Sequence, residues 1–182
     1  MKATGIGRRI DDLGRVVIPK EIRRTLRLRE GTPLEIFTDR EGEIILKKYS
    51  PMMELNAFAS QYADAMAQST GLMVCITDRD QVIAAAGGAK KELLQKPISR
   101  QLENVINERT ALMAGKDDKA YTPVAAEDVE GVTAQVVAPI ICEGDAIGAV
   151  VIMSREPRAK FTEAEMRLAA TAAGFLGRQM ES

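Results

Sequence analysis

Histidine and tryptophan are absent from this 182-residue chain, cysteine occurs only twice, and aromatic residues make up 4% of it. Without histidine the commonest acid–base group, triad partner and neutral metal ligand is missing. Cys75 and Cys142 each lie inside an apolar run with no spacing motif, so they form no common zinc site. They read as small hydrophobes in a reduced compartment. Long apolar runs are also lacking: Ala146 to Met153 is the longest, far short of a bilayer span. The opening Lys2-Ala3-Thr4-Gly5 has neither a signal nor a transit pattern, which predicts a cytoplasmic protein without membrane contact. Nucleotide loops are missing as well. Gly87-Gly88 lacks the Gly-Lys-Ser/Thr ending that grips phosphates, and no helix with a third glycine follows Gly5-Ile6-Gly7. The carboxylates of Asp78, Asp80, Glu143 and Asp145 fall in predicted turns, where solvation accounts for them. Catalysis, a cofactor and a bound metal are therefore not expected.

What the chain does have is a basic N-terminal stretch. Eight cations fall between Arg8 and Arg29 (Arg8, Arg9, Arg15, Lys20, Arg23, Arg24, Arg27 and Arg29) against three acids, Asp11, Asp12 and Glu21. Residues 1–50 carry twelve Lys and Arg against eight Asp and Glu, a net of +4; residues 51–182 carry thirteen against eighteen, a net of −5. A patch of this density matches a nucleic-acid backbone, because each cation can replace a counterion condensed on phosphate. Seven of the eight are arginine, whose planar fork suits phosphate and guanine edges. A solvated charged face is the plainer reading of any basic run. A basic reader joined to an acidic unit that does not itself touch nucleic acid is the organisation this asymmetry suggests.

The stretch also has a readable local structure. Ala3 to Ile10 is strand-like, Asp11 to Gly14 forms a turn, and Arg15 to Ile18 is a β-branched strand stopped by Pro19. Lys20 to Leu26 is one short helix, with Ile22 and Leu26 on one face and Arg23, Arg24 and Arg27 beside one another. Pro33 to Thr38 and Glu43 to Lys48 are two strands of a hairpin around Asp39 to Gly42. So small a unit cannot bury much core alone. An obligate dimer is expected, the second copy covering exposed strand edges.

The run TGIGRRIDDLGRVVIPKEIRRTL followed by PLEIFTDREGEIILKKY resembles the DNA-binding domain of the AbrB family of bacterial transition-state regulators. The likeness covers residues 1–50, and the Asp-x-Gly-Arg-x-x-Ile-Pro core is its most specific part. It implies a dimeric swapped-hairpin β-barrel in which Arg8, Arg15, Arg23 and Arg24 face double-stranded DNA. Arg9, Lys20 and Arg27 are assigned supporting roles from their place in the basic run. Gly7 departs from the β-branched residue expected in that strand.

The rest of the chain reads as a linker helix over 51–70 and a domain over 71–182. Ser50-Pro51 is the predicted helix start, and Leu55, Phe58, Tyr62, Ala65 and Ser69 follow helical spacing. Strands are expected at Leu72 to Thr77, Val82 to Ala86, Val132 to Cys142 and Ala146 to Ser154, with a polar loop from Gly115 to Gly131 holding a short strand near Ala120 to Pro123. Helices are expected at 89–95, after Ser99 as far as Arg109, and after the Thr162–Glu165 capping box. Ala169, Ala173 and Gly177, four apart, allow close approach either of another helix or of the domain's own sheet. This α+β order, with a central antiparallel sheet, resembles a GAF domain, above all in the run VVAPIICEGDAIGAVVI.

Composition, motif and resemblance together predict a sequence-specific transcriptional regulator. Its second domain is expected to assemble two dimers into a tetramer through the helices at 52–69 and 162–180, and to respond to a small-molecule effector. The alternative is an antitoxin-like oligomeric module whose C-terminal part captures a protein. Capturing tails are usually short and disordered, whereas residues 71–182 are patterned to fold.

Overall fold

A computed structural model describes residues 5–40, 42–48 and 56–181. Its contacts divide the chain into two units, residues 1–49 and 50–182. The predicted helix start at Ser50-Pro51 lies outside the described residues.

Among its described residues the N-terminal unit holds one helix, α1 (Lys20–Thr25), and one hairpin, β1 (Leu34–Thr38) with β2 (Ile44–Lys48). The hairpin is antiparallel, Ile36 opposite Leu46. Asp39 closes it by accepting from the Glu43 amide at 2.9 Å, with Gly42 at φ +82. The expected strands at 3–10 and 15–18 form no ladder among the described residues. An isolated two-stranded ribbon with no apolar layer beneath it is marginal.

The C-terminal unit is a five-stranded antiparallel sheet covered on both faces. In chain order it contains α2 (Asn56–Thr70), β3 (Met73–Thr77), β4 (Val82–Ala86), α3 (Lys90–Leu93), α4 (Arg100–Glu108), β5 (Leu112–Gly115), β6 (Ala134–Cys142), β7 (Asp145–Ser154) and α5 (Glu163–Gln179). The strand order is β4-β3-β7-β6-β5. β3, β6 and β7 are apolar on both faces because each face meets a packed layer. Pro139 is tolerated in β6 because β5 pairs only as far as Val137, leaving the proline where no inner ladder needs its N–H.

One face packs against α2 and α5. Ala59, Ala63, Met66 and Ala67 from α2 meet Val74, Val136 and Ile152 of the sheet, beside Ala169, Ala173 and Leu176 of α5. The small residues of α5 thus serve the domain's own sheet. At Gly177 an added Cβ would lie 2.0 Å from the Ile141 carbonyl oxygen. Thr162 caps α5 as expected: it accepts from the Ala164 amide at 3.2 Å, while Glu165 accepts from the Thr162 amide at 2.6 Å. The hydrogen bonds that the Thr162 amide and hydroxyl donate to it hold the Glu165 carboxyl below its usual value. The other face is covered by α3, α4 and the segment 116–133, which places Val124, Val129 and Val132 over Cys75, Val137 and Val151. Ser99 caps α4 by accepting from the Leu102 amide at 3.0 Å, and Arg109, at φ +57, ends it.

One expectation changes here. The short strand is at Leu112–Gly115 and not near 120–123. Alanine and glycine give little strand propensity, so β5 exists because β6 offers it an edge. Residues 120–123 instead contribute a buried Thr122 to the covering segment.

Candidate nucleic-acid interface

Asp11 organises the turn between the two N-terminal extended segments. Its Oδ1 accepts from the Leu13 amide at 3.0 Å and the Arg15 amide at 2.8 Å, and its Oδ2 accepts from Arg15 Nε at 2.9 Å. The Asp11 amide donates to the Arg15 carbonyl at 3.0 Å, and Gly14, at φ +73, supplies the left-handed step. The Arg15 hydrogen bonds hold the Asp11 carboxyl below its ordinary value. Sequence reading treats Asp11 only as a turn former. An acid four residues before an arginine is the signal that points to its second role, fixing the guanidinium's direction.

Pro19 is the N-cap of α1: at φ −57 and ψ 148 it ends the extended segment, and its carbonyl accepts from the Arg23 amide at 2.9 Å to open the helix. The helix is one and a half turns long. Leu28 N donates back to the Arg23 carbonyl at 2.7 Å, and Arg27 sits at φ +51. That is a left-handed helix end with arginine where glycine is usual. Arg23 and Arg24 therefore ride the helix, but Arg27 lies beyond its end and does not continue their face.

Arg8, Arg9, Arg15, Lys20, Arg23, Arg24 and Arg27 are all exposed. Arg8 donates to its neighbour's carbonyl at Gly7, 3.2 Å away, and Arg15 is held by Asp11. Lys47 on β2, outside the sequence selection, holds its ammonium 4.7 Å from the centre of the Phe37 ring. The unit has no closed interior: among its described residues Pro19 alone is buried. Val16, Val17, Ile22 and Leu26 instead line an apolar groove of about 470 Å³, with Ile6 and Leu46 at its walls.

The C-terminal unit offers little reactive chemistry. Burial pushes the Cys75 thiol up to about 12, and desolvation followed by the Glu143 charge raises Cys142. Among the described residues no group of three potential metal ligands converges. Among the described residues no helix is long and apolar enough to cross a membrane.

Comparison with known proteins accounts for both units. The family described as stage V sporulation protein T C-terminal, transcription factor, matches residues 54–181, and the family described as antidote-toxin recognition MazE, bacterial antitoxin, matches residues 8–53. Stage V sporulation protein T of Bacillus subtilis is 56% identical over 181 residues, covering 100% of this chain and 99% of that protein. The transition state regulatory protein AbrB of the same organism is 49% identical over 74 residues, 41% of this chain and 76% of that protein. In fold, the chain is similar to the GAF domain region of a membrane protein from Geobacter sulfurreducens, with a TM-score of 0.54 at 16% identity. That likeness covers 70% of this chain and 93% of the other. An AbrB-type N-terminal domain ahead of a GAF-fold domain, with near-complete alignment to one relative, settles the family: the chain belongs to the stage V sporulation protein T family of transcription factors.

Proposed function

We propose that residues 1–50 bind double-stranded DNA as a dimer, with Arg8, Arg15, Arg23 and Arg24 as the main contacts and Arg9, Lys20 and Arg27 in support. The observation that carries this reading is the pairing of seven exposed cations with a unit that buries one described residue. A second copy filling the apolar groove would give the unit a core and double the number of arginines presented. Four arginines from each of two subunits give up to roughly eight phosphate contacts and a log–log salt slope of about −7, shallower where some reach base edges. Fluorescence anisotropy across a salt series, with Arg15→Ala plus Arg23→Ala, tests the assignment. A flat slope, or full binding by the double variant, overturns it. Dimerisation predicts that the melting midpoint of the isolated unit rises with protein concentration.

Residues 71–182 act in this reading as an assembly and sensory domain without catalytic activity. The support for tetramer assembly is aromatic surface on α2 and α5: Phe58 is 53% exposed and Phe175 38%, and Phe175 stacks on Tyr62 at 5.3 Å. Light scattering of the full chain against residues 1–49 tests this. Dimers in both cases would exclude it. The match of residues 8–53 to antitoxins supports the alternative, capture of a protein partner. The folded C-terminal unit weighs against it, since the capturing segments of such modules are usually short and unstructured. Action inside the cell, on the nucleoid, follows from the DNA-binding reading.

A further inference from the structure

Gln135 on β6 is fully buried, and neither its Nε2 nor its Oε1 has a hydrogen-bond partner among the described residues. The other buried polar groups differ. Asp78 accepts from the amides of Asp80 and Gln81, Ser99 caps α4, and Thr77 accepts from the Ala149 amide. Register places Gln135 between Ala114 of β5 and Met153 of β7. Strand alternation puts it on the same face as Val137, the face covered by α4 and the segment 116–133. A buried amide left unpaired in an apolar layer is costly, and natural proteins seldom keep one without a use.

The covering segment is fastened on its solvent side. Asp128 accepts from the Tyr121 hydroxyl at 3.0 Å and from the Lys116 ammonium, which also lies 4.2 Å from the centre of the Tyr121 ring. The segment's base closes where the Lys116 amide donates to the Thr133 carbonyl at 2.9 Å, two residues from Gln135. Opening it breaks these side-chain contacts, the Ile98–Ala125 bridge and the bond from the Ser99 amide to the Val124 carbonyl, and leaves the central ladder of the sheet intact.

We propose that Gln135 is the polar anchor of an effector site beneath the 116–133 segment. The effector is a small uncharged molecule presenting a donor and an acceptor side by side, as a lactam or primary amide does. This rests on the sensory reading of the C-terminal unit. The amide offers two donors and an acceptor, so a molecule of that kind satisfies it on both edges. A charged ligand is excluded because no buried counter-charge shares the layer, and its desolvation would go unrepaid. Binding favours whichever arrangement of the segment admits the ligand, and so biases the unit between two states.

The test uses the full-length protein and three probes of similar size: 2-pyridone as a neutral lactam, benzoate as an anion and toluene as an apolar body. The Gln135 side-chain NH2 resonances and the melting midpoint are followed together. At about 10 mM, 2-pyridone is expected to move those resonances and raise Tm by roughly 2–4 °C, with benzoate and toluene doing neither. Gln135→Leu should lose the response. Because the resonances are read in the unaltered protein, a folding defect in that variant does not remove the test. An unmoved Gln135 resonance with 2-pyridone, a cross-peak assigning its protons to internal water, or an equal response in Gln135→Leu overturns the proposal. If toluene or benzoate instead shifts residues beneath the segment in both proteins, Gln135 is not the anchor while the sensory reading stands. Silence with all three probes counts against both.

Discussion

Arg15 and Asp11 form the pair on which presentation of the basic surface turns: one carboxylate accepts from the arginine's backbone amide and from its side chain, at 2.8 and 2.9 Å. Electrostatics alone predicts that deleting the acid tightens DNA binding, because a negative charge leaves the surface. The geometry predicts the reverse, since the turn loses three hydrogen bonds and Arg15 loses its direction. Asp11→Ala should weaken binding by roughly 5–30-fold. Titration by anisotropy decides the sign.

Arg27 at φ +51 carries a conformational cost that glycine would not. Arg27→Gly should stabilise the end of α1 by about 0.5–1 kcal/mol. It should also make the salt slope shallower by roughly 0.9 for each phosphate no longer neutralised. Stability and affinity thus move in opposite directions. Denaturant unfolding alongside a salt series separates them, and unchanged affinity would remove Arg27 from the interface.

Gly177 sits inside α5, where helix propensity favours alanine by about 1 kcal/mol. The close approach of the Ile141 carbonyl oxygen, 2.0 Å from an added Cβ, opposes that gain. Packing should win, and Gly177→Ala should destabilise the C-terminal unit by roughly 2–3 kcal/mol. Gly174, with nothing within 4 Å of its Cβ position, is the control: Gly174→Ala should be neutral or stabilising in the same melting experiment.

The interactions of Asp128 with Lys116 and Tyr121 give the covering segment a pH dependence. The hydrogen bond to Asp128 raises the Lys116 ammonium, and desolvation, followed by the same carboxylate, raises the Tyr121 phenol. For both groups the folded value exceeds the unfolded one. Their contribution is therefore complete below about pH 10 and is lost as pH rises through the folded values. Hydrogen exchange over residues 116–131 should accelerate above about pH 10 in the parent protein, relative to the rest of the sheet. In Lys116→Met that alkaline step should shrink, and an identical profile would show that the lysine does not fasten the segment.

Local signals carried much of this protein. The Asp11 to Gly14 turn, the proline-started α1, the 39–42 hairpin loop, the Ser99 cap and the Thr162–Glu165 capping box each depend on residues within four positions of one another, so the sequence alone specifies them. The basic stretch was legible for the same reason, since charge density needs no partner to be counted. Where the chain must meet itself or a copy, the sequence fell silent. β5 is built from Leu112-Met113-Ala114-Gly115, a weak strand former that exists because β6 presents an edge. The stripe of Ala169, Ala173 and Gly177 was equally compatible with a neighbouring helix, and only the Ile141 carbonyl identifies the sheet as its target. Arg27 looked like the continuation of a helical face until the turn at the end of α1 carried it past the helix. Gln135 falls inside the strand expected from Val132 to Cys142, and nothing in its neighbours along the sequence marks it as buried. Its burial follows from α4 and the covering segment 116–133 closing over that face of the sheet, and packing of that kind is decided by tertiary structure.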